Sequence, residues 1–366
     1  MGANLLVAAA TVLLQSSPAE PPSKPAAIFP QPDTLVTESR SGPAFERLSD
    51  LLQYNRVQGL SLGLGYRQSL PVPSRTDLYG TVRYGFSDER VTGRATLIRD
   101  WQKGRIVLSG YHDILDIDPF SPGRSFSNSL NSLLAGHDDA DYALADGGSG
   151  TLETSLGPRL DLGITVRVEQ QHSTARAARS AVNDWLGGDG LFPTNPPVRE
   201  GLFAVVVARF TGTHRVRWNV ALDLLGGTGR TAARVYGAAR RSFGSRPKVT
   251  LKLNAGVGTE PALPQTLFRV GGVQTVRGFE YGTVRSAAFW SAQLDFVPVG
   301  DRVRPVVFLD AGQGSRLGDL FSSTALLGGG LGISLLHGLI RLDFSRPISP
   351  EASGKVRFDI VLGSMR

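Results

Sequence analysis

Residues 268–279 read Phe268-Arg269-Val270-Gly271-Gly272-Val273-Gln274-Thr275-Val276-Arg277-Gly278-Phe279. They lie in a stretch, 259–285, that separates two runs with strand character. Connections of this length are uncommon in compact domains and are usually functional or disordered. This one is apolar, rich in glycine and poor in charge, which argues against disorder. Glycines flank both the apolar turn and Arg277, so backbone can approach backbone closely there. The pattern predicts a loop that tucks back inward and buries an arginine. A buried guanidinium needs a carboxylate. Downstream, Phe308-Leu309-Asp310-Ala311-Gly312 is an apolar strand with one acidic side chain, so Asp310 is the expected partner, with Asp295 and Asp343 as the carboxylates to consider next.

Outward from this stretch, polar and apolar residues alternate with period two. Leu60, Leu62, Leu64 and Tyr66 oppose Ser61, Gly63, Gly65 and Arg67. Leu160, Leu162, Ile164, Val166 and Val168 oppose Arg159, Asp161, Gly163, Thr165, Arg167 and Glu169. Val216, Trp218, Val220 and Leu222 alternate with Arg215, Arg217, Asn219, Ala221 and Asp223, and the last run sets Val356, Phe358, Ile360 and Leu362 against Lys355, Arg357 and Asp359. Strands of about 10 residues with one apolar and one charged face mark a membrane barrel with a wet interior. A soluble sandwich has shorter strands, about 5–6 residues. The fold class is therefore all-β, a transmembrane antiparallel β-barrel with a long inward-folded loop. About fifteen strands can be read, and single-chain bacterial barrels have an even number. The missing one is placed in 121–148 or just before Asn55.

Val276-Arg277-Gly278-Phe279 followed by Phe308-x-Asp310-x-Gly312 resembles the outer-membrane protein assembly and two-partner secretion superfamily, the BamA-like or bacterial surface antigen barrels. The resemblance is strong over the C-terminal hundred or so residues and rests on strand pattern elsewhere. It implies sixteen strands and a loop-to-barrel motif made by Val276, Arg277, Gly278, Phe279, Phe308, Asp310 and Gly312. It also implies insertion or translocation of polypeptides at the bacterial outer membrane, through a weak seam between first and last strands and without covalent chemistry. That seam would set 58–67 against 355–363, with Gly59, Gly63, Gly65, Phe358 and Gly363 as its residues. The implied partners are outer-membrane lipid, a polypeptide substrate and a separate periplasmic protein. Two features depart from the family. Residues 18–54 leave no room for the polypeptide-transport-associated domains that members carry ahead of the barrel, and the chain ends Leu362-Gly363-Ser364-Met365-Arg366 rather than in a terminal aromatic.

The 366 residues divide into a signal peptide over 1–17, a Pro/Ser-rich linker or short plug over 18–54, and a barrel over 55–366. The block 5–14 has the length of a signal-peptide core but no basic residue before it. With 39 Lys+Arg against 32 Asp+Glu the net charge is +7, yet the basic residues are scattered and no nucleic-acid-binding motif accompanies them. There is no cysteine, hence neither a disulfide framework nor a thiolate metal site.

Other constellations carry less. Asp138-Asp139-Ala140-Asp141 lacks the spacing of a calcium loop and reads as a solvated acidic turn. His112, His137, His172, His214 and His337 are dispersed, so neither a metal nor another cofactor is expected. His172 beside Ser173 is the one candidate for a rim hydrolase, and adjacency in sequence is not triad geometry. No catalytic residue is assigned, and the chain is read as a non-enzyme. Tyr66, Tyr79, Tyr84, Trp101, Trp185 and Tyr236 fall near strand ends, as an interfacial belt would. The alternative to a translocase is a passive pore or a structural barrel working with a periplasmic partner.

Overall fold

The computed structural model describes residues 41–363 apart from 46, 47, 73, 74, 186, 301 and 350–353. The signal-like block 5–14, nearly all of the Pro/Ser-rich segment and the last three residues lie outside the described residues. One antiparallel sheet runs through the described residues, each strand beside its sequence neighbour. Its continuous strands are Gly59–Leu70, Thr76–Gly85, Arg90–Trp101, Gly104–Asp116, Tyr142–Gly157, Leu160–Ser173, Gly201–Thr213 and Arg217–Gly227 in the first half. Arg230–Phe243, Lys248–Gly258, Ala288–Val297, Val303–Ser315, Leu326–Leu335, Ile340–Pro347 and Arg357–Leu362 complete it.

To these fifteen a broken strand is added at the start. Gly42–Pro43 pairs with Arg67 and Tyr66, and Leu52–Asn55 pairs with residues 59–62, both along the same edge of Gly59–Leu70. Between them a helical turn, Leu48–Leu51, leaves the sheet and lies over the inner face of that strand. A Cβ at Gly63 would strike the carbonyl oxygen of Asp50, and one at Gly65 the carbonyl oxygen of Ala44. The sixteenth strand is thus just before Asn55, one of the two places the sequence allows, and the helical turn erased its alternation. Two expectations are corrected. Gly59–Leu70 is paired along both edges, so Gly59, Gly63 and Gly65 belong to the second strand, not to the seam. Among the described residues the sheet begins at Gly42, so residues 18–54 are not all linker or plug.

Alternation decides which face of each strand is covered. Along Arg217–Gly227, Asn219, Ala221, Asp223 and Leu225 are buried, whereas Trp218, Val220, Leu222 and Leu224 are exposed. The same holds for Leu60, Leu62 and Leu64 outward against Ser61 inward. A one-residue slip would exchange these faces, so the register is fixed by the pattern. Of the belt aromatics, Tyr66, Tyr84, Trp101 and Trp185 are exposed, but Tyr79 and Tyr236 point inward and are buried. Their hydroxyls have inner partners instead, Asp50 and Asp223 respectively. Among the described residues no helix is long and apolar enough to cross a membrane, which says nothing about crossing by strands.

The two ends of the sheet differ. The connections 117–141, 174–200 and 259–287 lie at one end, and short turns such as 102–103, 158–159 and 214–216 lie at the other, together with Gly42 and Leu362. The loop 259–287 folds back against the inner wall through a small hairpin, Phe268–Val270 with Val284–Ser286. Phe120, Tyr236, Phe268, Val270, Val276, Phe279 and Phe289 form the main apolar cluster around it. Phe268 and Phe289 lie 4.8 Å apart and Phe120 and Phe289 5.1 Å apart by ring centroids. Burying rings of this kind, at roughly 1.5–3 kcal/mol each, holds the loop to the wall.

Candidate functional site at the inward-folded loop

The tip of the loop presents Arg277 to three carboxylates, Asp295 and Asp310 on adjacent strands and Asp343 two strands beyond Asp310. Its Nε and Nη2 donate to the two oxygens of Asp310 at 2.7 and 2.6 Å, and its backbone N–H donates to Asp310 Oδ2 at 2.9 Å. Nη2 also lies 2.9 Å from Asp295 Oδ1, and Nη1 3.5 Å from Asp343 Oδ2. The guanidinium stacks on the Phe308 ring, 3.8 Å from its centroid. Both ends of the main pair are buried, Arg277 4 % and Asp310 1 % exposed. Bidentate pairing plus a backbone donor fixes the tip in position and direction, as a Lys at this place could not. Arg341 offsets part of the carboxylate excess, donating to Asp295 at 2.8 Å and to Asp343 at 2.7 Å.

The glycines of the motif make this approach possible. Gly278 has φ +90°, and a Cβ there would come within 2.5 Å of the Arg346 backbone. Gly312 leaves room for Val276, whose Cγ2 would be 2.6 Å from an added Cβ. Phe308, Asp310 and Gly312 are alternate residues of one strand and so share its inner face. Phe279 packs in the apolar cluster, and its carbonyl accepts from Arg357 Nη1 at 3.2 Å. The structure therefore brings Val276, Arg277, Gly278, Phe279, Phe308, Asp310 and Gly312 together. Phe358 sits on Arg357–Leu362, the last strand among the described residues, with Gly363 immediately after it.

A second node was not legible as such. Asp138, Asp139 and Asp141 are buried, not solvated, and each meets an arginine from elsewhere in the chain. Asp138 accepts from the Arg56 backbone N–H at 2.7 Å and from its Nε at 3.4 Å. Asp139 accepts from Arg357 Nη2 at 2.7 Å, and Asp141 from Arg269 Nε at 2.9 Å. Desolvation raises the Asp138 carboxyl above its ordinary range, opposed by Arg56. The only sequence signal was negative: an acidic run with no Lys or Arg beside it, interrupted by Ala140 and followed by Tyr142. His172 lies 3.8 Å from Asp146, which also pairs with His112, while the Ser173 hydroxyl donates to the Val198 carbonyl at 3.2 Å. Ser173 and His172 thus engage separate partners and do not form the nucleophile–base pair of a hydrolase.

A profile described as the C-terminal domain of a family of unknown function (DUF5686) matches residues 36–259, and one described as the Omp85 superfamily domain matches residues 188–365. The chain belongs to the DUF5686 C-terminal-domain family, and its second half is similar to the Omp85 superfamily domain. The Omp85 match spans the inward loop and the Asp310 strand. Among solved structures, a BamA from Haemophilus ducreyi lacking POTRA domains 1–3 is similar at TM-score 0.59 and 14% identity, over 86% of this chain and 69% of that one. CdiB from Acinetobacter baumannii matches at TM-score 0.47 and 11% identity over 84% of this chain, and CdiB from Escherichia coli at 0.46 and 13% over 85%. The chain spans 57% and 61% of those two CdiB chains. No curated protein matches. The fold is thus all-β, one large antiparallel sheet similar to that of BamA, as the alternation predicts.

Proposed function

We propose that this barrel sits in the bacterial outer membrane and inserts polypeptides into that membrane or passes them across it, without covalent chemistry. One observation carries the reading: the Val276–Phe279 tip is locked onto the inner wall by Arg277 and Asp310 while, among the described residues, no ladder joins the first and last strands. A loop so anchored braces the wall from inside, and the unpaired seam is the place where an added strand would join it. Exposed backbone edges are ready templates for pairing, and pairing of this kind selects extended polypeptide. The short-turn end, which carries residue 42, would face the periplasm. A separate periplasmic protein delivering polypeptide would meet the barrel there.

The second reading is a passive pore, and the filled interior speaks against it. Loops 117–141 and 259–287 occupy the lumen, and the inner cavity beside Glu153, Arg167, Glu169 and Arg209 measures about 330 Å3. The test is reconstitution of the whole chain into phospholipid vesicles. Addition of an unfolded outer-membrane barrel protein should yield more of its heat-shifted, folded form than empty vesicles give. Equal yields, together with steady conductance in a planar bilayer, would favour the pore.

A further inference from the structure

The last strand is, among the described residues, the one continuous strand whose outer edge meets no other strand. Among the described residues, Arg357–Leu362 pairs only with Ile340–Pro347, and no backbone hydrogen bond joins it to the first strand. Its edge is nonetheless occupied. Ile360 N–H donates to Asn131 Oδ1 at 2.6 Å, and Asn131 Nδ2 donates back to the Ile360 carbonyl at 3.0 Å. Ser127 adds a donor to the same carbonyl at 2.7 Å, and its hydroxyl accepts from Leu362 N–H at 3.0 Å. In an antiparallel ladder, two facing residues exchange both N–H···O bonds. The Asn131 amide reproduces that exchange from a side chain.

Both residues come from the loop 117–141, on its helix Phe126–Leu130 and the π-helical turn Asn131–Ala135. The helix is seated by its own N-cap, Ser125, which accepts from Asn128 N–H at 3.1 Å. The same loop grips the far side of the seam. Asp138 holds Arg56, in the turn that follows the first strand, and Asn128 Nδ2 donates to Asp138 at 2.8 Å. Asp139 holds Arg357 of the last strand, and Asn128 accepts from its backbone N–H at 3.0 Å. One asparagine therefore ties together the two aspartates that reach the opposite sides.

We infer that the loop 117–141 is a removable staple across the seam, masking the pairing edge of the last strand and joining it to the first hairpin. Opening of the seam, or addition of a strand to the Ile360 edge, requires the helix Phe126–Leu130 to withdraw. This rests on the proposed reading that polypeptides are handled at the seam, and it adds the element that keeps the seam shut. Arg357 links the staple to the loop tip, since it also donates to the Phe279 carbonyl.

The test uses the full chain folded in phosphatidylcholine vesicles and amide hydrogen exchange over residues 357–362. In Ser127→Ala/Asn131→Ala, exchange at Ile360 and Leu362 should rise by about tenfold or more while Leu326–Leu335 stays protected. Unchanged exchange at Ile360 and Leu362 overturns the staple. Should the double variant not fold, Ser127→Cys and Leu362→Cys in the otherwise cysteine-free chain are joined by a short cleavable bismaleimide. Insertion of an added barrel protein should then fall at least several-fold and return on cleavage. Insertion that ignores the linkage overturns the staple. A wild-type chain that inserts nothing counts against the functional reading instead, and the exchange result then decides the staple alone.

Discussion

Arg277 is oversupplied with carboxylate, and the surplus sets what its variants should do. Arg277→Ala leaves Asp310 buried without its guanidinium, whereas Asp343 and Asp295 keep Arg341. Removing one member of a buried pair costs about 3–5 kcal/mol. Asp310→Ala is expected to cost less, because Arg277 retains Asp295 at 2.9 Å and Asp343 at 3.5 Å. The double variant should be no worse than Arg277→Ala. Protease cleavage within 259–285 measures all three, and additive effects would show that the two residues are not partners. Gly278→Ala should expose the loop as well, since it sets a side chain against the Arg346 backbone at φ +90° without touching a charge. The Arg277–Asp310 pair was legible because glycines and a lone aspartate announce it. The roles of Asp295 and Asp343 were legible only as fallbacks, because strand periodicity gives a face but not which strands stand side by side within reach of one tip.

Elements were legible where alternation was unbroken. Fifteen strands carry it, and the first does not, because the helical turn Leu48–Leu51 interrupts it between Gly42–Pro43 and Leu52–Asn55. The acidic run of the loop 117–141 was misread for a related reason: its partners Arg56, Arg269 and Arg357 are far away in sequence. Strand faces give a direct check. Leu294 is exposed on the outer face, and an arginine on the lipid face near mid-bilayer costs about 2–4 kcal/mol. Leu294→Arg should therefore impair folding into vesicles, whereas Thr165→Val, which breaks only a hydroxyl pair with Thr151 on the inner wall, should cost about 1 kcal/mol. Equal tolerance would mean that the outer face does not meet lipid.

The loop 117–141 also carries a pH response through His137. Burial and the nearby Arg357 lower its pKa to about 4, against the pull of Asp359 and Asp139. The unfolded loop binds the proton more readily, so the stabilisation is complete above about pH 6.5 and is lost as pH falls toward 4. Protease accessibility of 117–141 should rise between pH 7 and pH 5. His137→Gln should flatten that rise, and an unchanged rise in the variant would assign it to another group.

At the scale of the molecule, sixteen strands and a plugged interior predict two gross behaviours. The folded chain should resist SDS at room temperature and shift in mobility on heating, and recovery as a soluble protein with no heat shift would sink the barrel reading. Long loops at one end and short turns at the other add a direction. A chain folding spontaneously into vesicles from outside must push one end through the bilayer, and each hairpin can cross only by carrying its connection with it. Since Gly42 and Leu362 share the short-turn end, that end lags while 117–141, 174–200 and 259–287 are carried across. The product is polarised: a tag after residue 366 should stay reachable from outside, and one in 316–325 should be sealed within. Any assay that offers substrate to the outer surface of such vesicles therefore addresses the periplasmic mouth.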